Sequence, residues 1–231
     1  MDSNLRIGDS LQGQRVLVTQ SRDFMGPALC EAFAAHGAVV VADGRALDAP
    51  GAVHDMVAAA GQVQVLIANL GVPAPNTYAH EVGDAEWRHV FAHIVDPLPR
   101  LAREVLPGMI ARRAGKIVVM GSATALRGQR RTSTYSAARG AQLAWVRAVG
   151  AEVAPHNVQV NLIAQNFVEN PMYYPSEVQA LEAFQQRLKR EVPAGRLATP
   201  QEDALFAVFL ASSEVNFIAG QGIAFSGGWA T

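Results

Sequence analysis

The chain has 231 residues, half of them hydrophobic and 17% charged, with a formal net charge of -1. That length supports one substantial core and fits a single α/β domain spanning 1–231, while the near-neutral charge gives no support for nucleic-acid binding. No apolar run approaches membrane-spanning length, and the single cysteine, Cys30, excludes a disulfide framework within the chain. The start, MDSNLRIGDSLQGQR, lacks the hydrophobic run of a signal peptide, so a soluble cytoplasmic protein is the expectation.

In chain order, RVLVT (15–19) reads as a strand and GPALCEAFAAHG (26–37) as a helix with Gly37 at its C-cap and Cys30 packed in its core. AVVVAD (38–43) is a second strand. Strand, turn, helix, strand is the opening of a doubly wound, Rossmann-like parallel sheet flanked by helices. A helix over 53–61 and a strand over 64–69 follow. The loop LGVPAPNTYAHEV (70–82) is rich in turn formers and should overhang the strand ends. Residues 86–115 read as one or two helices, with Pro97 and Pro99 setting a bend or a break.

KIVVMGS (116–122) has the continuous apolar character of a buried strand ending at Gly121, and the long helix 133–155 follows it. Ser122 therefore stands at the carboxyl end of a strand, where open α/β sheets place their sites. Tyr135 and Arg139 are four residues apart, a spacing that puts a phenol and a guanidinium on one helix face. A cation beside a phenol favours the phenolate, the ionised form that a general base requires. Beyond a strand over 156–164, QNFVENPMYYPSE (165–177) lacks helical periodicity and is too aromatic for a linker. Thr199, Pro200 and Glu202 form a capping-box pattern opening a helix that runs to 212, and a last strand lies within 217–231. The histidines show no metal-ligand spacing, and no metal is expected.

Ser122, Tyr135 and Arg139 in their sequence context resemble the Ser, Tyr-x-x-x-Lys site of short-chain dehydrogenases/reductases, with Arg in place of Lys. STYSAAR is similar to the corresponding segment of the halohydrin dehalogenases, a branch of that superfamily that uses no nicotinamide. The turn after the first strand agrees. Where the nicotinamide-dependent relatives carry Thr-Gly-x-x-x-Gly-x-Gly, this chain reads TQSRDFMG, with Gln20 and Phe24 in glycine positions and Gly26 alone retained. Glycines there let a pyrophosphate approach the backbone. Ile94 stands seven residues after Trp87, where those relatives place an Asn, and the cofactor side is shorter than usual by a strand and a helix.

The resemblance implies catalysis by Ser122, Tyr135 and Arg139, and halide binding by Phe24, Gln165, Asn166, Phe167, Val168 and Tyr174. Gln165 replaces the proline of some relatives, and Tyr173 is read as ordinary loop packing. The implied reaction converts vicinal haloalcohols to epoxides, with chloride or bromide released, no cofactor, and a reverse ring opening by halide or small anions. An NAD(P)-dependent oxidoreductase and a non-catalytic assembly protein are the alternatives. Glu169 is the one charged residue of the pocket loop, so a small neutral substrate is expected. A homotetramer is implied by resemblance, paired through the small residues Ala137, Ala138, Gly140 and Ala141.

Overall fold

The computed structural model describes residues 6–49 and 51–231; the first five residues of the segment read as lacking a signal peptide lie outside these. Six strands form one sheet, β1 (Arg15–Val18), β2 (Val39–Ala42), β3 (Val65–Asn69), β4 (Gly115–Met120), β5 (Val158–Gln165) and β6 (Gly222–Phe225). Their order is β2-β1-β3-β4-β5-β6, and every pairing is parallel. Parallel sheets need apolar strands covered on both faces. Accordingly β3 is buried along its whole length, whereas β2, at the edge, is exposed at Val39 and Ala42 and half-buried between them.

Alternate residues of each strand enter opposite cores. Leu17, Leu66, Ile117, Val119 and Leu162 pack toward α2 (Ala52–Ala60), α4 (Pro97–Ala111) and α5 (Ser133–Val153). Val16, Val18, Ile67, Val118 and Ile163 pack toward α1 (Gly26–Ala35) and α8 (Pro200–Ala211). Cys30 is half-buried at the edge of that second core. The helical pattern of 86–115 resolves into α3 (Asp84–Ile94) and α4, with the break just before Pro97. Two further helices, α6 (Ser176–Gln179) and α7 (Glu182–Glu191), occupy a stretch to which the sequence pattern assigns none.

α8 opens with the expected capping box: the Thr199 side chain accepts from the Glu202 amide, and the Glu202 carboxylate accepts from the Thr199 amide at 2.8 Å. The next residue, Asp203, is fully buried, and neither carboxylate oxygen has a hydrogen-bond partner among the described residues. Burial pushes its carboxyl up to about 7. Because the folded form holds the proton more tightly than the unfolded chain, this group favours folding below its ordinary carboxylate range, and that contribution is lost as pH rises to about 7. Asp203→Asn should therefore raise the melting temperature at pH 8 by roughly 5 °C and leave it nearly unchanged at pH 4, as calorimetry would measure.

The chain reverses direction across the sheet between β1 and β3, the position at which open α/β sheets form a crevice outside the strand ends. The turn after β1, the loops after β3 and β4, the start of α5 and the loop after β5 all line one cavity there, of about 170 Å3.

Candidate active site

Tyr135 and Arg139 lie on the buried face of α5, as their spacing predicts. The Tyr135 ring packs with Val72, Val90, Ile94 and Ala138, and its hydroxyl faces the Tyr173 phenol. It lines the cavity. The Arg139 guanidinium carbon sits 4.9 Å from the centre of that ring. One of its terminal nitrogens donates to the carbonyls of Leu70 (2.9 Å) and Met120 (3.0 Å) at the ends of β3 and β4, and to Gln142 Oε1 at 2.9 Å. Gln142 in turn donates to the carbonyl of Ile94 at 2.9 Å. The cation is thus fixed to the sheet, with its charge over the phenol. Ile94 is part of the apolar wall behind the ring.

Thr134, just before the phenol, donates to Glu86 Oε1 at 2.7 Å, and Thr77 donates to the other oxygen of that carboxylate at 2.7 Å. This pair of bonds ties the start of α5 to α3 and to the overhanging loop. Ser122 Oγ accepts from the Thr124 amide (3.2 Å) and from Thr124 Oγ1 (3.0 Å). With its acceptor side occupied, the serine proton is left to donate into the cavity that Ser122 lines.

The turn after β1 has the left-handed backbone that glycines favour, at φ 42° for Gln20 and 50° for Phe24, yet it carries side chains. Left-handed geometry costs a non-glycine residue about 1 kcal/mol or more, and both side chains have partners. Gln20 accepts from the Gly71 amide at 2.7 Å and donates to the Gly71 carbonyl at 3.2 Å. The Phe24 ring lies so close to Gly71 that a Cβ added there would stand 2.9 Å from it. Asn69 donates to the carbonyls of Gln20 and Asp23, both at 3.0 Å, which holds the turn. A pyrophosphate drawn close to backbone needs a bare turn, and these residues do not fit a dinucleotide lying across it in that way.

All six residues expected at a halide pocket line the same cavity as Ser122, Tyr135 and Arg139. Their amides are not equally free. Asn166 N donates to the Phe225 carbonyl at 3.0 Å, and Phe167 N donates to the Asn166 side chain at 2.9 Å, whereas the Val168 amide has no acceptor among the described residues. Gln165 Oε1 is buried without a partner among those residues. Burial pushes the Tyr174 hydroxyl up to about 12, so it stays a donor.

Among the lining residues that sequence reasoning did not assign to the site, two carry polar groups that bear on it. Tyr173, read as packing, donates to the Val72 carbonyl at 3.1 Å, accepts from the Ala74 amide at 3.2 Å, and stands 6.0 Å from the Phe24 ring. Burial and the neighbouring Tyr135 phenol push its ionisation well up. Of the three phenols at the cavity, Tyr173 and Tyr174 thus remain hydroxyls. The second missed residue is Arg187, on the unassigned helix α7.

The profile of the family described as Enoyl-(Acyl carrier protein) reductase matches residues 11–230. This chain belongs to that short-chain dehydrogenase/reductase family. Among its relatives, the 3-oxoacyl-[acyl-carrier-protein] reductase FabG of Vibrio harveyi is 28% identical over 95% of this chain and 98% of its own length. The cis-4-hydroxycyclohexanecarboxylate dehydrogenase of Sinomonas cyclohexanicum is 32% identical over 79% of this chain and 72% of its own. A solved structure described as a dehalogenation enzyme superposes with a TM-score of 0.88 at 28% identity, covering 96% of this chain and all of that one. A putative gluconate dehydrogenase from Agrobacterium tumefaciens gives 0.87 at 25% identity, covering 97% and 98%. An enzyme of the superfamily's oxidoreductase type is the general conclusion.

Proposed function

We propose that this member of the short-chain dehydrogenase/reductase superfamily is a halohydrin dehalogenase working without a nicotinamide cofactor. The observation that carries the reading is the turn after β1, where Gln20 and Phe24 hold left-handed positions and close over Gly71. Left-handed non-glycine residues cost energy, and their retention at a site points to a task there. The likeness to the dehalogenation enzyme adds support.

In this reading Ser122 donates a hydrogen bond to the substrate oxygen and Tyr135 takes its proton. The alkoxide attacks the neighbouring carbon from the side opposite the halogen; the carbon–oxygen bond forms as the carbon–halogen bond breaks. Epoxide, halide and a proton are the products. The departing halide meets the Tyr174 hydroxyl, the Val168 amide and the Gln165 side chain, with the rings of Phe24 and Phe167 beside it. Such donors and polarisable ring edges suit a large, weakly hydrated anion. The chain itself needs to supply only positioning, proton removal and stabilisation of charge. Assembly as a homotetramer belongs to the same proposal. Gly140 has open space around it, and Ala137 and Ala141 are half-exposed, whereas Ala138 is buried against α3 in its own chain.

A second reading, an NAD(P)-dependent oxidoreductase, has more of the named relatives behind it: the acyl-carrier-protein reductases and the hydroxy-acid dehydrogenases. It requires a dinucleotide to bind despite Gln20 and Phe24. Equilibrium dialysis separates the two. The proposal expects no saturable binding of NAD(H) or NADP(H), and binding at micromolar concentration would favour the oxidoreductase.

A further inference from the structure

Arg187 lines the cavity without a place in the reaction just described. Its guanidinium carbon is 5.8 Å from the centre of the Phe167 ring, and its charge acts on the Tyr174 hydroxyl. The Nε atom donates to Glu191 at 3.0 Å, which fixes the plane of the group; the two terminal nitrogens have no acceptor among the described residues. Glu191 is shared with Arg190, at 3.0 Å from its other oxygen, so one carboxylate serves two guanidiniums and a positive charge is left over. These two cations hold the Glu191 carboxyl below its usual range, which keeps the arrangement charged.

The rest of the lining offers nothing to balance that charge. Two arginines line the cavity and, among the described residues, no Asp or Glu does. Arg139 is committed to the carbonyls of Leu70 and Met120 and to Gln142. Arg187, whose two terminal nitrogens both have no acceptor among the described residues, presents a fork with a free outer edge, and a planar fork matches a carboxylate bidentately. One free fork in a cavity of about 170 Å3 suits a single negative charge on a small molecule better than a doubly charged phosphate ester.

We propose that Arg187 forms a carboxylate subsite, so that the substrate is a short haloalcohol bearing a carboxylate a few atoms from the reacting hydroxyl. This deepens the dehalogenase reading and rests on it for the halogen, though the subsite itself is independent of the chemistry. It replaces the neutral substrate expected from the 165–175 loop, because the cation arrives from α7. Arg187 is partly solvent-exposed, so its contribution is moderate.

The test is calorimetric titration of 3-hydroxybutyrate, which has the hydroxyl and carboxylate but no halogen, against its methyl ester and against sodium chloride. Wild type should bind the acid about tenfold more tightly than the ester, Arg187→Gln should abolish that preference, and Arg187→Lys should retain part of it. In turnover, Arg187→Gln should raise KM for 4-chloro-3-hydroxybutyrate about tenfold, with a much smaller change in kcat. Equal binding of acid and ester by wild type, or an acid preference that survives Arg187→Gln, overturns the proposal. So does a variant that weakens chloride binding alone, which would make Arg187 part of the halide path. If acid binding follows Arg187 while no haloalcohol releases halide, the subsite stands and the dehalogenase reading falls.

Discussion

Tyr135→Phe is expected to lower halide release from a haloalcohol by on the order of 100-fold or more, the loss typical of removing a general base. The ring's packing against Val72, Val90 and Ile94 is kept, so the fold should be unaffected. The other phenols offer no substitute. Tyr173 and Tyr174 are both pushed toward the protonated form, and Tyr173 is engaged with Val72 and Ala74. Stopped assays of released chloride, with circular dichroism to verify folding, would measure the effect. Near-wild-type release from a folded variant would mean that some other group takes the proton.

Arg139→Ala should affect stability as well as rate. The guanidinium is buried and satisfies the carbonyls of Leu70 and Met120 and the Gln142 side chain, joining two strand ends to α5. Its removal leaves those acceptors without that donor and opens a cavity beneath the phenol. A loss on the order of 3 kcal/mol follows, or roughly 10 °C in melting temperature for a chain of this size. Arg139→Lys keeps the charge but not the planar fork, and should fall between wild type and Ala in both stability and turnover. A melting temperature for Arg139→Ala within a degree of wild type would contradict the structural role assigned to this cation.

Where a residue's part is local, the sequence made it legible. The apolar runs at 15–19, 64–69 and 116–122 predict strands because a parallel sheet covered on both faces demands such runs, and Tyr135 and Arg139 share a face because four residues make about one helical turn. The capping box at Thr199 and Glu202 is a pattern within four residues. What escaped depends on distant partners. Helix α7 sets only Phe184 and Leu188 on its buried face, and that pair marks a helix without saying which part of the sheet it covers, so Arg187 could not be placed at the cavity. Tyr173 gains its role through Val72 and Ala74, about a hundred residues away in the chain, and Glu86 through Thr77 and Thr134. The substitutions at Gln20 and Phe24 were visible in TQSRDFMG, but not that both side chains turn onto Gly71.

The reaction itself is tested most directly by incubating purified protein, freed of nucleotides, with a panel of short chloro- and bromoalcohols that includes a carboxylated member, and following halide and epoxide together. The account predicts equal amounts of halide and epoxide from at least one vicinal haloalcohol, at a rate unaltered by added NAD(P)H and strongly reduced in Tyr135→Phe. Absence of halide release across the panel, together with NAD(P)H-dependent reduction of a carbonyl compound by the same preparation, would contradict it.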